Sequence, residues 1–199
     1  MDISTEAQFY WNAPAYKTLI FDTAPTGELL AWLQKNADAP IIDNLVTDRT
    51  QADVERVKAL AAKGFAAMTA DEQAEWLAGM KGAYNAADLN RVGTAMNYLA
   101  VRLGAICGSS IAWTAKTDWA VTDIITASQA AEYRRQIQDI RDALTYPTGT
   151  PDAPELGRLT YTGANDIERI LVLCEELIDN ITKAFRYTGA AECATGGLI

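Results

Sequence analysis

The chain has 199 residues, 49% of them hydrophobic and 22% charged, enough apolar material to pack one large or two small domains. Its 17 Lys and Arg are scattered among 26 Asp and Glu, for a net charge of −9. That balance excludes the clustered cationic face that nucleic-acid phosphates require, so no nucleic-acid partner is expected. The absence of histidine removes Ser-His-Asp and Cys-His nucleophiles, the usual zinc and non-haem iron sites, and the Glu-x-x-His pattern of di-iron bundles.

Cys107, Cys174 and Cys193 are too few and too widely spaced for a disulfide framework or a zinc site, and synthesis in a reducing cytoplasm is expected. No apolar run approaches the roughly 18 to 20 residues that span a bilayer, so no membrane partner is expected. The opening MDISTEAQFYW has neither a basic segment nor an apolar core and reads as no secretory signal. No catalytic, cofactor-binding or metal-ligating residue is assigned, and the chain is read as a non-enzyme.

Residues 1–46 read as an N-terminal docking segment. Phe9, Tyr10, Trp11, Tyr16, Leu19, Ile20 and Phe21, broken by Pro14 and Pro25, predict an irregular or partly extended stretch. A short helix capped by Thr26 follows, carries Trp32 on its apolar side, and is closed by Pro40. Residues 47–112 read as a helical hairpin unit. Thr50 caps a helix whose apolar positions run from Val54 through Leu60 to Phe65 and Met68. Thr69 and Glu72 form a capping box for a shorter helix with Trp76, Leu77 and Met80, fraying at Gly79 and Gly82. Asn85 and Asp88 open a longer helix striped by Leu89, Val92, Met96, Leu99, Leu103 and Ile106 and stopped at Gly108.

Residues 113–188 read as a second helical unit. A connector from Trp113 to Ile125 leads to a helix started by Thr126 and Gln129, with Tyr133, Ile137, Ile140 and Leu144 facing inward. Proline and glycine make Tyr146–Gly157 a loop. The last helix starts near Thr162 or Gly163, runs to about Tyr187, and carries Ile167, Ile170, Leu171, Cys174 and Ile178 on one stripe. Residues 189–199, small and polar, read as a flexible tail that is disordered or docks on a partner. The fold class is all-α: a helical bundle of helix hairpins with about five to six helices.

One start pattern recurs: TQADVER at Thr50, NAADLNR at Asn85 and GANDIER at Gly163. Each sets a cap-competent residue ahead of an acidic one, which suits the orphan N–H groups and positive end of a helix. Well-made helix starts are the plain reading; duplication of a helix-hairpin unit and an acidic metal site are the sharper ones. Trp32 and Trp76 fall on apolar helix faces and read as core. Trp11, Trp113 and Trp119 lie outside regular helices, where tryptophan serves as a core plug, an interface anchor or a sugar platform. Tyr10, Trp11, Trp113 and Trp119 are the candidate interface residues.

These start signals also carry a resemblance. DRTQADVERVKALAAKGFAAMTADEQAEWLAGMKGAYNAADLNRVGTAMNYLA, from Asp48 to Ala100, resembles a segment recurrent in virion structural proteins of phages and prophages of Firmicutes. So does the later half, where Trp113, Trp119 and Thr122-Asp123 precede EYRRQIQDIRDAL and LTYTGANDIERIL. The resemblance covers roughly residues 48 to 188 and offers no catalytic residues. It implies a tail-associated or minor structural protein of the virion, with other virion proteins and further copies of itself as partners. A multi-copy adaptor or decoration protein at the tail, neck or head is therefore expected. The alternative is a carbohydrate-binding host-recognition module with Trp113 and Trp119 as stacking platforms.

Overall fold

A computed structural model of the chain describes residues 40–107 and 111–195, and among them are six α-helices and no strand. The all-α class is therefore as the composition and periodicity indicate. The candidate residues Tyr10 and Trp11, the expected extended stretch, the helix carrying Trp32 and the stop at Gly108 lie outside the described residues.

Pro40, expected to close the helix before it, is itself the first residue of α1, Pro40–Asp43, where a missing N–H costs nothing; the helix it was to close lies outside the described residues. α2 spans Gln51–Lys63. It stops short of Met68 because Gly64 takes φ +76°, its N–H bonding the Leu60 carbonyl. Phe65–Ala67 then turns as a 3-10 helix. α3 is Ala70–Ala78, ended by Gly79 at φ +89°. α4 is Ala86–Cys107, α5 Ala127–Asp142 and α6 Tyr161–Thr195, which follows a 3-10 turn at Leu156–Arg158. α6 passes the expected stop at Tyr187 and takes in residues 189–195, where Ala and Glu, strong helix formers, outweigh one glycine.

The predicted stripes meet in one core. Val92, Met96, Leu99 and Leu103 of α4 pack with Tyr133, Ile137 and Ile140 of α5 and with Ile167, Ile170, Leu171, Cys174 and Ile178 of α6. Residues on both sides of the expected division at 112/113 contribute to it. A smaller cluster of Leu60, Met68 and Met80, edged by Val57 and Trp76, sits under α2 and α3. That unit is drawn in tightly at Gly82, where an added Cβ would lie 2.1 Å from the Asp53 carbonyl oxygen. No helix among the described residues is long and apolar enough to cross a membrane.

Three helix starts close as full capping boxes: Thr50 with Asp53, Thr69 with Glu72, and Thr126 with Gln129. In the second, Glu72 accepts the Thr69 N–H at 2.8 Å and the Lys63 ammonium at 2.5 Å. The Lys63 bond first, then the Thr69 backbone bond, lowers the Glu72 carboxyl from its ordinary 4.5 to about 2. A depressed folded-state value means that this contribution is complete above the unfolded value and is lost as pH falls toward about 2. The melting-temperature advantage of the natural chain over Glu72→Gln should therefore shrink between about pH 5 and about pH 2. A gap that stays constant across that range would mean the box carries no ionic component.

Candidate interaction groove

Two irregular segments are strapped onto the bundle. The first is residues 44–50, laid antiparallel along the start of α6. Asn165 grips Arg49 with both ends of its amide: Oδ1 accepts the Arg49 N–H and Nδ2 donates to the Arg49 carbonyl, each at 2.9 Å. One turn further on, the Glu168 carboxylate accepts the Val46 N–H at 2.5 Å.

Between strap and bundle lies a buried ionic cluster. Arg49 Nη2 bonds Asp88 at 2.9 Å and Glu168 at 2.6 Å, while Arg91 reaches Asp88 at 2.5 Å and Glu168 at 2.8 Å. Glu168 is 0% exposed. Burial opposes the charge on Arg91, but the bonds and charges of Glu168 and Asp88 outweigh it and raise its pKa. The Arg49 guanidinium also stacks 5.5 Å from the centre of the Tyr84 ring. The Tyr84 hydroxyl lies 2.8 Å from that of Tyr133, and burial pushes both phenols up. With two cations against two carboxylates, the cluster is internally balanced, the arrangement a buried ion set needs to be tolerated.

The second strap is the Trp113–Ile125 connector, laid antiparallel on α4. Asn90 holds Trp119 by N–H and carbonyl at 2.7 and 2.9 Å, and Asn97 holds Ala115 the same way at 2.7 and 3.0 Å. Seven helix positions rise about 10 Å. Four extended residues cover about 13 Å, so the two spacings nearly match. Between the clamps Gly93 leaves room for the connector, since a Cβ there would fall 2.4 Å from the Lys116 carbonyl oxygen. These amides supply hydrogen-bond partners that the extended backbone would otherwise seek from water.

Where the second strap ends, it faces α3 across an open groove of about 550 Å³. Its lining includes Trp76, Leu77 and Met80, Leu89 of α4, and Trp119 and Val121 of the connector. Asp123 is the one ionisable acid or base among Lys, Arg, Asp and Glu in the lining, and it accepts the Ala120 N–H at 3.0 Å. Large apolar side chains stand out of this region: Leu77 is 74% exposed, Val121 97% and Ile124 88%. Leu77 and Val121 line the same groove, so these exposed aliphatic side chains are grouped and not scattered.

Comparison with known proteins adds no relative. No family model, no curated protein and no solved structure matches the chain.

The candidate aromatics divide. Trp119 lines the groove but is only 8% exposed, and the Lys116 ammonium sits 4.9 Å from its ring centre. Trp113 is half-buried against the core, its indole N–H donating to Asp139 at 2.8 Å. The Trp119 ring is thus largely covered, while Trp113 keeps part of its surface open. Among the described residues no group of three or more His, Cys, Asp or Glu side chains could hold a metal ion. A smaller cleft of about 290 Å³ between α2 and the start of α6 is lined by Arg49 and Lys58. Both cations are engaged, Arg49 in the cluster and Lys58 with Glu55 at 3.0 Å.

The repeated start pattern resolves into three different roles. Asp53 caps α2. Asp88 accepts the Asn85 N–H at the start of α4 and also joins the ionic cluster. In the third copy α6 has already begun at Tyr161, with Thr160 accepting the Gly163 N–H, so Asp166 falls beyond the first turn and Glu168 is the working residue. Residues that sequence reasoning missed are Leu77, Val121 and Ile124 as exposed contacts, and Asn90 and Asn97 as clamps. The signal for the clamps was present: asparagine and glycine disfavour helix interiors, yet Asn90, Gly93 and Asn97 share one stretch of α4.

Proposed function

We propose that the protein is a structural adaptor of a bacteriophage particle, present in several copies and acting through protein–protein contacts without catalysis. The observation that carries the interaction part of this reading is the groove: an apolar depression flanked by Leu77 and Val121 on a chain of net charge −9. An acidic surface resists non-specific association, so a nearly uncharged patch marks where contact is wanted. The particle itself comes from the resemblance of residues 48–188 to virion proteins. The carbohydrate-binding alternative has less support, because Trp119 is covered and Trp113 is tied to Asp139.

Quantitative peptide mass spectrometry of density-purified particles tests the reading, with copies counted against the major capsid protein. A fixed ratio to the capsid protein is expected. Abundance in the lysate with none in particles would remove the virion role. The groove is tested alongside by Leu77→Ser/Val121→Ser, two exposed positions whose loss leaves the core intact. The double variant should fold with an unchanged melting temperature and fall clearly in particle copy number, since losing roughly 1.4 kcal/mol of contact weakens binding about tenfold. Normal incorporation would clear the groove of that role.

A further inference from the structure

We infer that the occupant of the groove is the chain's own N-terminal aromatic segment, residues 7–21, supplied by the same or a neighbouring copy. This rests on reading the groove as a protein interface and names what fills it. The segment holds two apolar triplets, Phe9-Tyr10-Trp11 and Leu19-Ile20-Phe21, separated by Pro14 and Tyr16. Large aromatic and aliphatic side chains are what an apolar depression walled by Trp76, Leu77 and Val121 takes up, and aromatic anchors dominate such contacts.

Charge favours this segment over the rest of residues 1–39, whose flanking parts carry Asp2, Glu6, Asp22, Glu28 and Asp38. Residues 7–21 contain no Asp or Glu and one cation, Lys17, in a chain of net charge −9. The groove is lined by one carboxylate, Asp123, and no Lys or Arg. The segment can thus enter without burying like charges, and Lys17 has an opposite charge to meet.

Length permits the contact. Between Phe21 and α1 at Pro40 the chain can extend about 60 Å. A body of this size has a radius of gyration of about 15 Å. The tether therefore reaches the groove of its own bundle or that of an adjacent one, and in a multi-copy particle the second arrangement would link subunits in series.

The test uses the full-length chain with Trp11 replaced by the photoreactive p-benzoylphenylalanine, irradiated at about micromolar concentration and mapped by peptide mass spectrometry. Crosslinks are expected on residues 76–89 or 119–125, and Leu77→Ser/Val121→Ser in the same chain should reduce them several-fold. A sample mixed from isotopically light and heavy copies separates contacts within a chain from contacts between chains, and either supports the assignment. Crosslinks mapping elsewhere, or none above a control with the photoreactive group at Glu176, an exposed position of α6, would overturn it. Its failure is separable from that of the particle reading. Crosslinks outside the groove combined with poor incorporation of the double variant would remove this occupant but keep the interface. Groove crosslinks with normal incorporation would keep this occupant and clear the groove of a role in particle incorporation.

Discussion

Glu168→Ala is expected to lower folding stability by about 3–5 kcal/mol, the range for removing one partner of a buried ion set. The carboxylate is fully buried and serves four donors: both nitrogens that Arg91 offers it, Nη2 of Arg49, and the Val46 N–H. Without it, two guanidinium groups share Asp88 alone, and the strap at 44–50 loses one of its fastenings. Since domains of this size are stable by about 5–15 kcal/mol, the change removes a large part of the total. Urea unfolding followed by circular dichroism should show the midpoint fall at constant slope. A companion variant separates charge from packing. Arg49→Met with Glu168→Leu removes an opposite-charged pair together, so it should cost less than the two single changes added. If Glu168→Ala shifts stability by under about 1 kcal/mol, the cluster is wetter and looser than its geometry implies.

Gly93→Ala is expected to destabilise the protein, against the direction that helix propensity predicts. In an exposed helix this exchange would gain about 1 kcal/mol. Here the new Cβ would stand 2.4 Å from the Lys116 carbonyl oxygen, a backbone atom that cannot rotate away. The connector is clamped on both sides of that point by Asn90 and Asn97, so relief requires lifting it and straining four hydrogen bonds. Overpacking of this kind costs about 1–3 kcal/mol, which exceeds the propensity gain. Thermal unfolding gives the sign. Tryptophan fluorescence gives the cause, because lifting the strap exposes Trp119 and should shift its emission to the red. A stabilised variant with unchanged emission would show that the connector yields freely at this point.

These two results bear on the groove from opposite sides. Glu168 fixes the strap that carries Arg49 over Tyr84, and Tyr84 also lines the groove. Gly93 sets how closely the strap bearing Trp119 and Val121 approaches α4. The surface at 119–125 is therefore held by helix side chains and not by secondary structure of its own.

Much of the helical framework was readable because it depends on neighbours in sequence. The boxes at Thr50, Thr69 and Thr126 join residues three apart, and the stripe from Val92 to Leu103 repeats at helical spacing, so local order in the chain determines both. The end of α2 was misplaced for a related reason. Phe65 and Met68 continue the apolar spacing, but Gly64 adopts a positive φ that spacing alone does not reveal.

What the sequence by itself determined is the helical class, most helix starts, and the faces that become core. Capping bonds and apolar periodicity act within a few residues, and water drives the apolar face inward whatever its eventual partner. Only the tertiary structure decided the rest. Glu168 meets Arg49 across 119 residues, Asn90 meets Trp119 across 29, and Leu77 and Val121 border one groove because two irregular segments are fastened to different helices. Such pairings depend on how helices pack and which polar groups are left to satisfy. A carboxylate that caps a helix and one that anchors a buried cluster are therefore the same letters in the chain, and differ only in what the fold brings to them.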